Sequence, residues 1–186
     1  YRVALGVHHS IVKFYSSYFT KIEKDRFLSS ILFLPFFIAI PIAYFGTLFY
    51  EEIGSYLSEE NPVIKDYTFI IYLIAVATSY FEIFYAWAKV QFQSVFGNVL
   101  KELWNRVVVM ILLFAVYFEL ITKAEFIYYL TGAYFLRTFV MMVYALKLYT
   151  PKFTFSRPKN FNDVIRFSGY IILAGSAGAI ILDIDK

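Results

Sequence analysis

The feature that most constrains this chain is a run of 24 residues without a charged side chain, from Phe27 to Tyr50. An α-helix rises 1.5 Å per residue, so about 20 apolar residues cross the roughly 30 Å hydrocarbon core of a bilayer. Residues 67–88 and 126–146 form two similar runs, each interrupted by one charge, at Glu82 and Arg137 respectively. These three runs predict transmembrane helices.

Two further apolar runs extend this pattern. Residues 107–118 are apolar and follow an amphipathic stretch that begins at position 95, and residues 167–182 are free of charge. Residues 3–19 resemble the tail of an earlier span. The sequence therefore predicts an all-α, polytopic integral membrane bundle. Its expected segments are a partial span at 3–19, full spans at 27–50, 67–90, 95–120 and 126–148, and the start of another helix at 167–186.

Composition favours the membrane class and excludes several others. Hydrophobic residues make up 60% of the chain and charged residues 17%, against about 45–50% and 25% in soluble domains. The chain has no Cys, which excludes thiolate metal sites, and it contains no metal-binding, phosphate-binding or dinucleotide-binding motif. A net charge of +3 is too small to imply nucleic acid. We expect no cofactor and no metal.

Positive charges fall on alternate connections between the predicted spans. Three connections hold three, three and five Lys or Arg residues, and the two between them hold one each. Because cytoplasmic loops of membrane proteins are enriched in Lys and Arg, the basic connections are predicted to be cytoplasmic. The basic residues are Lys21, Lys24 and Arg26; Lys89, Lys101 and Arg106; and Lys147, Lys152, Arg157, Lys159 and Arg166, whereas the other two connections hold Lys65 and Lys123.

Arg137 is the first candidate functional residue, because it lies about eleven residues into its predicted span. A charge near mid-bilayer costs roughly 2.5–3.5 kcal/mol on insertion scales. One interpretation is a cationic contact for an anionic substrate such as a diphosphate, whose oxygens match a guanidinium. The other is a structural ion pair with Glu82, whose depth differs by about 6 Å. Both interpretations place Arg137 and Glu82 away from lipid.

Three other charged residues are weaker candidates. Lys13 either adds positive charge to the same cavity or extends its ammonium group toward water. Asp183 and Asp185 follow the last apolar run. If that span continues past Lys186, these carboxylates are candidate ion-coupling sites; otherwise they mark its outer boundary.

Several stretches together carry a resemblance to a known family. They are LGVHHSIVKFYSSYF at 5–19, a basic turn, a proline-bent span, YFEIFYAWAKVQFQSVFGNVLKELWNR at 80–106, and a basic linker into FSGYIILAGSAGAIILDIDK at 167–186. The chain resembles the polysaccharide (lipid-linked oligosaccharide) flippases of the multidrug/oligosaccharidyl-lipid/polysaccharide exporter superfamily. The resemblance implies two helical lobes related by a pseudo-twofold axis. Residues 1–148 would belong to the first lobe, 149–166 to a cytoplasmic inter-lobe linker, and 167–186 to the second lobe, so the chain is expected to be truncated at both ends.

The resemblance also implies a function. The expected activity is transport, not catalysis: a polyprenyl-diphosphate-linked oligosaccharide crosses the bacterial inner membrane by alternating access, for cell-surface polysaccharide synthesis. Arg137, Glu82 and Lys13 would be cavity residues. The expected partners are the lipid-linked oligosaccharide, membrane lipids and other polysaccharide-assembly proteins. Two alternatives stay open: a cation-coupled multidrug antiporter using Glu82 or Asp183, and a polytopic polysaccharide polymerase or acyltransferase.

Overall fold

The computed structural model describes residues 6–57 and 66–184. Within these ranges the regular structure is helical and contains no strand, which confirms the predicted all-α class. A short 3₁₀ turn, Tyr15–Ser17, joins the first two helices. The helices are α1 (Val7–Phe14), α2 (Lys21–Leu48), α3 (Tyr50–Leu57), α4 (Thr68–Lys89), α5 (Val95–Tyr117), α6 (Lys123–Leu148) and α7 (Phe161–Ile184).

Three of these helices, α2, α4 and α6, are long and apolar enough to cross a membrane. They cover most of the three longest predicted apolar runs. α5 is a continuous helix of 23 residues, but Lys101, Glu102 and Arg106 all lie in its first half. Its apolar residues are therefore concentrated in its second half. The spans at 95–120 and 167–186 stay predictions.

The ends of the helices differ from the ends of the apolar runs. α2 begins six residues before Phe27, because Thr20 and Glu23 form a capping box, in which each side chain bonds the backbone N–H of the other residue. The apolar run 27–50 extends past the end of α2, because α2 stops at Leu48 and a separate helix, α3, begins at Tyr50. Thr122 and Glu125 cap α6 in the same way as α2 is capped. Capping side chains, which hydropathy does not detect, decide these starts.

The segments around the predicted linker also need correction. Residues 161–166, expected in the linker, are helical, since α7 begins at Phe161. The irregular part of the linker ends before a turn at residues 159–160. The helix within the predicted partial span 3–19 has only eight residues, Val7–Phe14. The first turns of α7 pack against it, and the hydroxyls of Ser10 and Ser168 form a buried hydrogen bond of 2.8 Å.

The three basic connections lie together at one end of the bundle. Gln91 Nε2 donates a hydrogen bond of 2.6 Å to Tyr15 Oη, which joins the α1–α2 and α4–α5 connections. Tyr149 Oη, at the start of the linker, donates to Asp25 Oδ1 in α2 at 2.7 Å. Burial and this hydrogen bond raise the pKa of Tyr149 above its ordinary value, so the phenol keeps its proton. We call the end of the bundle where these three connections meet the basic end.

The buried core lies near the basic end, where α1, the start of α2 and the last halves of α4 and α6 meet. α4 packs mainly against α6, and α1 also packs on α4. Away from this core, large apolar side chains such as Phe37, Phe69 and Tyr128 are exposed. Exposed apolar surface of this extent is typical of a helix surface that faces lipid. The largest core side chains include Val7, Ile11, Phe27, Leu28, Ile31, Phe81, Ile83, Trp87, Met141 and Val164.

Candidate functional site

The candidate site is a set of polar side chains between α4, α5 and α6, which we call the polar seam. α5 contributes Asn98, Lys101 and Asn105, at intervals of three and four residues. Residues spaced in this way lie on one side of a helix. Glu82 of α4 and Arg137 of α6 complete the seam, and both interact with side chains of α5.

Arg137 is held inside the protein. Its side chain lies in the middle of α6 and is only 3% exposed. Nη1 donates a hydrogen bond of 3.1 Å to Asn105 Oδ1. The guanidinium carbon lies 4.2 Å from the centre of the Phe81 ring and 4.9 Å from that of Tyr134. Aromatic faces attract a cation most strongly where water is excluded, so these contacts reduce the cost of a charge at this depth.

Glu82 forms an ion pair with Lys101 of α5. Lys101 Nζ lies 2.6 Å from Glu82 Oε1, and the two side chains are 27% and 14% exposed, respectively. Successive residues of a helix point about 100° apart. On α4, Phe81 therefore faces Arg137 while Glu82 faces α5. The prediction paired Glu82 with Arg137 from their similar depth, and the partner that the structure gives Glu82 is Lys101.

Gly97 lets the start of α5 approach α4 closely. A Cβ atom at Gly97 would overlap ring carbons of Tyr85, whose side chain is buried. The Tyr85 hydroxyl donates a hydrogen bond to Asn98 Oδ1. The Lys89 ammonium lies 4.1 Å from the centre of the same ring. Tyr85 thus fixes one end of the polar seam through its ring and its hydroxyl.

Two hydrogen bonds to backbone carbonyls hold α6 between its neighbours. Trp104 Nε1 of α5 donates to the carbonyl oxygen of Ala133 at 3.1 Å. Thr138 Oγ1 of α6 donates to the carbonyl oxygen of Ala77 in α4 at 2.8 Å. Polar side chains that bond across helices in this way fix their relative position in a bilayer. The residue after Arg137 therefore anchors α6 to α4.

Sequence reasoning did not identify Asn98 and Asn105, and it treated Lys101 only as a basic residue of a connection. The spacing of these three residues along α5 was the available signal. Polar residues repeated at this spacing predict that one side of the helix contacts other polar groups inside a bundle. Arg137 and Glu82 are isolated charges within apolar runs, which hydropathy detects, whereas the neutral amides of Asn98 and Asn105 are not.

The other candidates lie elsewhere. Lys13 is exposed, and its ammonium lies 3.8 Å from the centre of the Phe167 ring, so it belongs to the contact between α1 and α7. The backbone of Asp183 is in the last turn of α7, but its side chain lies outside the described residues, as does Asp185. Within 6–57 and 66–184, no group of three or more His, Cys, Asp or Glu is placed to hold a metal.

An apolar groove of about 470 Å³ lies away from the polar seam, between α2, α3 and the start of α4. Phe45, Phe49, Ile53 and Tyr72 are among the residues that line it. None of its lining residues belongs to the polar seam. Its apolar walls suit hydrocarbon chains better than a charged ligand.

No family model, curated protein or solved structure matches this chain. The flippase resemblance therefore rests on the sequence stretches that carry it.

Proposed function

We propose that this chain forms part of the first lobe of a two-lobe transporter in the bacterial inner membrane. Its substrate is a polyprenyl-diphosphate-linked oligosaccharide, which crosses the membrane by alternating access for cell-surface polysaccharide synthesis. The observation that carries the proposal is the guanidinium of Arg137, 3% exposed in the middle of an apolar helix. An apolar residue there would avoid an insertion cost of roughly 2.5–3.5 kcal/mol, so the charge needs a functional reason.

The charges of the polar seam favour an anionic substrate. The seam contains two cations, Arg137 and Lys101, and one carboxylate, Glu82, which Lys101 engages at 2.6 Å. One acceptor on Arg137 is a neutral amide oxygen, Oδ1 of Asn105. A phosphate oxygen is a stronger acceptor for a guanidinium than an amide oxygen. A diphosphate can therefore compete with Asn105 for the guanidinium of Arg137.

In the proposed mechanism, the diphosphate replaces Asn105 as a hydrogen-bond acceptor of Arg137 during transport. Movement of one lobe against the other opens the seam to each side of the membrane in turn. Arg137 then neutralises part of the diphosphate charge while that charge crosses the low-dielectric centre. The polyprenyl chain stays among the lipid tails throughout.

The antiporter alternative fits the polar seam less well. Ion coupling needs a carboxylate that exchanges a cation or a proton during the cycle. Glu82 already has a lysine partner at 2.6 Å, and this ammonium group competes with an incoming cation for the carboxylate.

The proposal is tested by changing Arg137 in the full-length protein. Proteoliposomes are loaded with a fluorescent undecaprenyl-diphosphate-linked oligosaccharide, and its appearance in the opposite leaflet is measured. We expect Arg137→Ala to slow transport about tenfold or more, equivalent to about 1.4 kcal/mol. Arg137→Lys keeps the charge but loses the fork geometry, so it should retain intermediate activity.

Arg106→Ala is the matched control, because Arg106 is an exposed arginine of α5 outside the polar seam. It should transport like the wild type. Size-exclusion chromatography checks that all variants are folded. Wild-type transport by a folded Arg137→Ala protein would remove this residue from the mechanism.

Orientation is tested with reporter fusions at described connections. Leu120 lies between α5 and α6, and Asn160 precedes α7 at the basic end. By the positive-inside rule, an alkaline phosphatase fused after Leu120 should be active and one fused after Asn160 inactive. Fusions to green fluorescent protein should give the opposite pattern. The reverse result would place the basic end outside the cell and contradict the proposed location.

A further inference from the structure

Each of the three connections at the basic end has a phenylalanine that is almost fully exposed. Phe19 is 86% exposed, Phe92 96% and Phe155 92%. Each ring lies within three residues of an exposed cation: Lys21, Lys89 and Arg157, respectively. We call these three phenylalanines and three cations the cation–phenylalanine rim.

Phe92 has a backbone conformation that favours glycine. Its φ is +61°. The N–H of Gln93 donates to the carbonyl of Ala88 at 3.0 Å, and the N–H of Phe92 donates to the carbonyl of Lys89 at 2.9 Å. This is the Schellman arrangement at a helix C-terminus, in which glycine is the usual left-handed residue. A bulky side chain with positive φ is strained.

The protein itself gives this strained ring almost no packing, since Phe92 is 96% exposed. The turn is nevertheless fixed on both sides. Gln91 donates to Tyr15 Oη at 2.6 Å, and Tyr144 Oη donates to Gln93 at 3.4 Å. These hydrogen bonds hold the backbone of Phe92 in its left-handed conformation and keep its ring exposed to the surroundings of the protein. At the end of α5, the corresponding left-handed position holds the exposed Glu119 (φ +57°) and not an aromatic residue.

We propose that the cation–phenylalanine rim binds a surface of anionic phospholipids. The three phenylalanine rings enter the interfacial region, and the neighbouring cations contact lipid phosphates. Phe92 lies three residues beyond the end of α4, a helix long and apolar enough to span a membrane, so its ring is at the level of the headgroups. Aromatic rings combined with Lys and Arg are typical of protein surfaces that bind anionic membranes.

This inference depends on insertion in a membrane but not on the transported substrate. Loss of transport in Arg137 variants and loss of lipid binding in rim variants are therefore separate results. The test uses the full-length protein in a neutral detergent. Its thermal unfolding midpoint is measured without lipid, with phosphatidylglycerol and with phosphatidylcholine. Phosphatidylglycerol should raise the midpoint of the wild type more than phosphatidylcholine does.

Phe92→Gly gives the sharpest result, because two effects of opposite sign are expected. Without lipid, the midpoint should rise, since glycine adopts the left-handed conformation without strain. The increment due to phosphatidylglycerol should fall by about a third, because one ring of three is lost. The triple variant Phe19→Ser, Phe92→Gly, Phe155→Ser should lose most of that increment.

Phe118→Ser is the matched control. Phe118 is 64% exposed but lies beside Glu119, in the connection between α5 and α6. Its phosphatidylglycerol increment should equal that of the wild type. The proposal would be overturned if both lipids raised the unfolding midpoint of the wild type equally. It would also be overturned if phosphatidylglycerol raised the midpoint of the triple variant as much as that of the wild type. Retention of the increment together with loss of a co-purifying protein would instead assign the rim to a protein partner.

Discussion

Replacing Lys101 with Met is expected to destabilise the protein by about 3 kcal/mol, because it leaves the carboxylate of Glu82 without its cation. Lys101 Nζ lies 2.6 Å from Glu82 Oε1, and the Glu82 side chain is only 14% exposed. Breaking a fully buried ion pair by removing one partner costs about 3–5 kcal/mol. The lower end of that range applies here, since the Lys101 side chain is 27% exposed.

The double variant Glu82→Gln, Lys101→Met distinguishes the effect of the unpaired carboxylate from other effects of replacing Lys101. With both charges removed, most of the lost stability should return, because no carboxylate stays buried without a partner. Lys147→Met is the matched control: Lys147 is exposed in the last turn of α6 and should change stability by less than about 0.5 kcal/mol. Denaturant unfolding in detergent measures all three. A double variant no more stable than Lys101→Met would show that the ion pair is not the cause.

Replacing Gly97 with Val is expected to destabilise the protein by about 3 kcal/mol, because the new side chain has no space. The position of a Cβ atom at Gly97 is already occupied by the ring of Tyr85. Relieving this overlap moves a buried ring and breaks the hydrogen bond from its hydroxyl to Asn98, which adds about 1 kcal/mol. The start of α5 would separate from α4, and the polar seam would open at that end.

Gly132→Val is the control for this substitution, because a Cβ atom at Gly132 would have no neighbour within 4 Å. Glycine and valine both have low helix propensity, so the change should stay within about 0.5 kcal/mol. Thermal unfolding of the two variants in the same detergent gives the comparison. Equal midpoints would mean that α5 and α4 adjust freely and that Tyr85 does not fix their distance.

The helices were predictable where hydropathy alone decides them. The apolar runs at 27–50, 67–88 and 126–146 predicted α2, α4 and α6. A long apolar surface must be buried in protein or surrounded by lipid, and this requirement leaves few structures other than a helix. Helix ends were less predictable. Thr20, Glu23, Thr122 and Glu125 set two of the helix starts through side-chain hydrogen bonds, whose effect is independent of hydrophobicity.

The candidate site was predictable only in part. Arg137 was identified because a single charge in an apolar run requires polar surroundings. Its acceptor Asn105, and the pairing of Glu82 with Lys101, were not identified. Depth along a helix follows from counting residues, but the partner also depends on the rotation of each helix about its axis and on the distance between axes. Gly97 sets that distance for α4 and α5.

The sequence by itself determined which segments are long and apolar enough for a membrane and which connections carry the positive charge. These are sums over consecutive residues, so they need no knowledge of packing. Only the tertiary structure decided that the three basic connections meet at one end, that Glu82 turns toward Lys101, and that Phe92 occupies a left-handed position with its ring exposed. Each of these depends on how separate helices are oriented against one another, which a one-dimensional pattern does not encode.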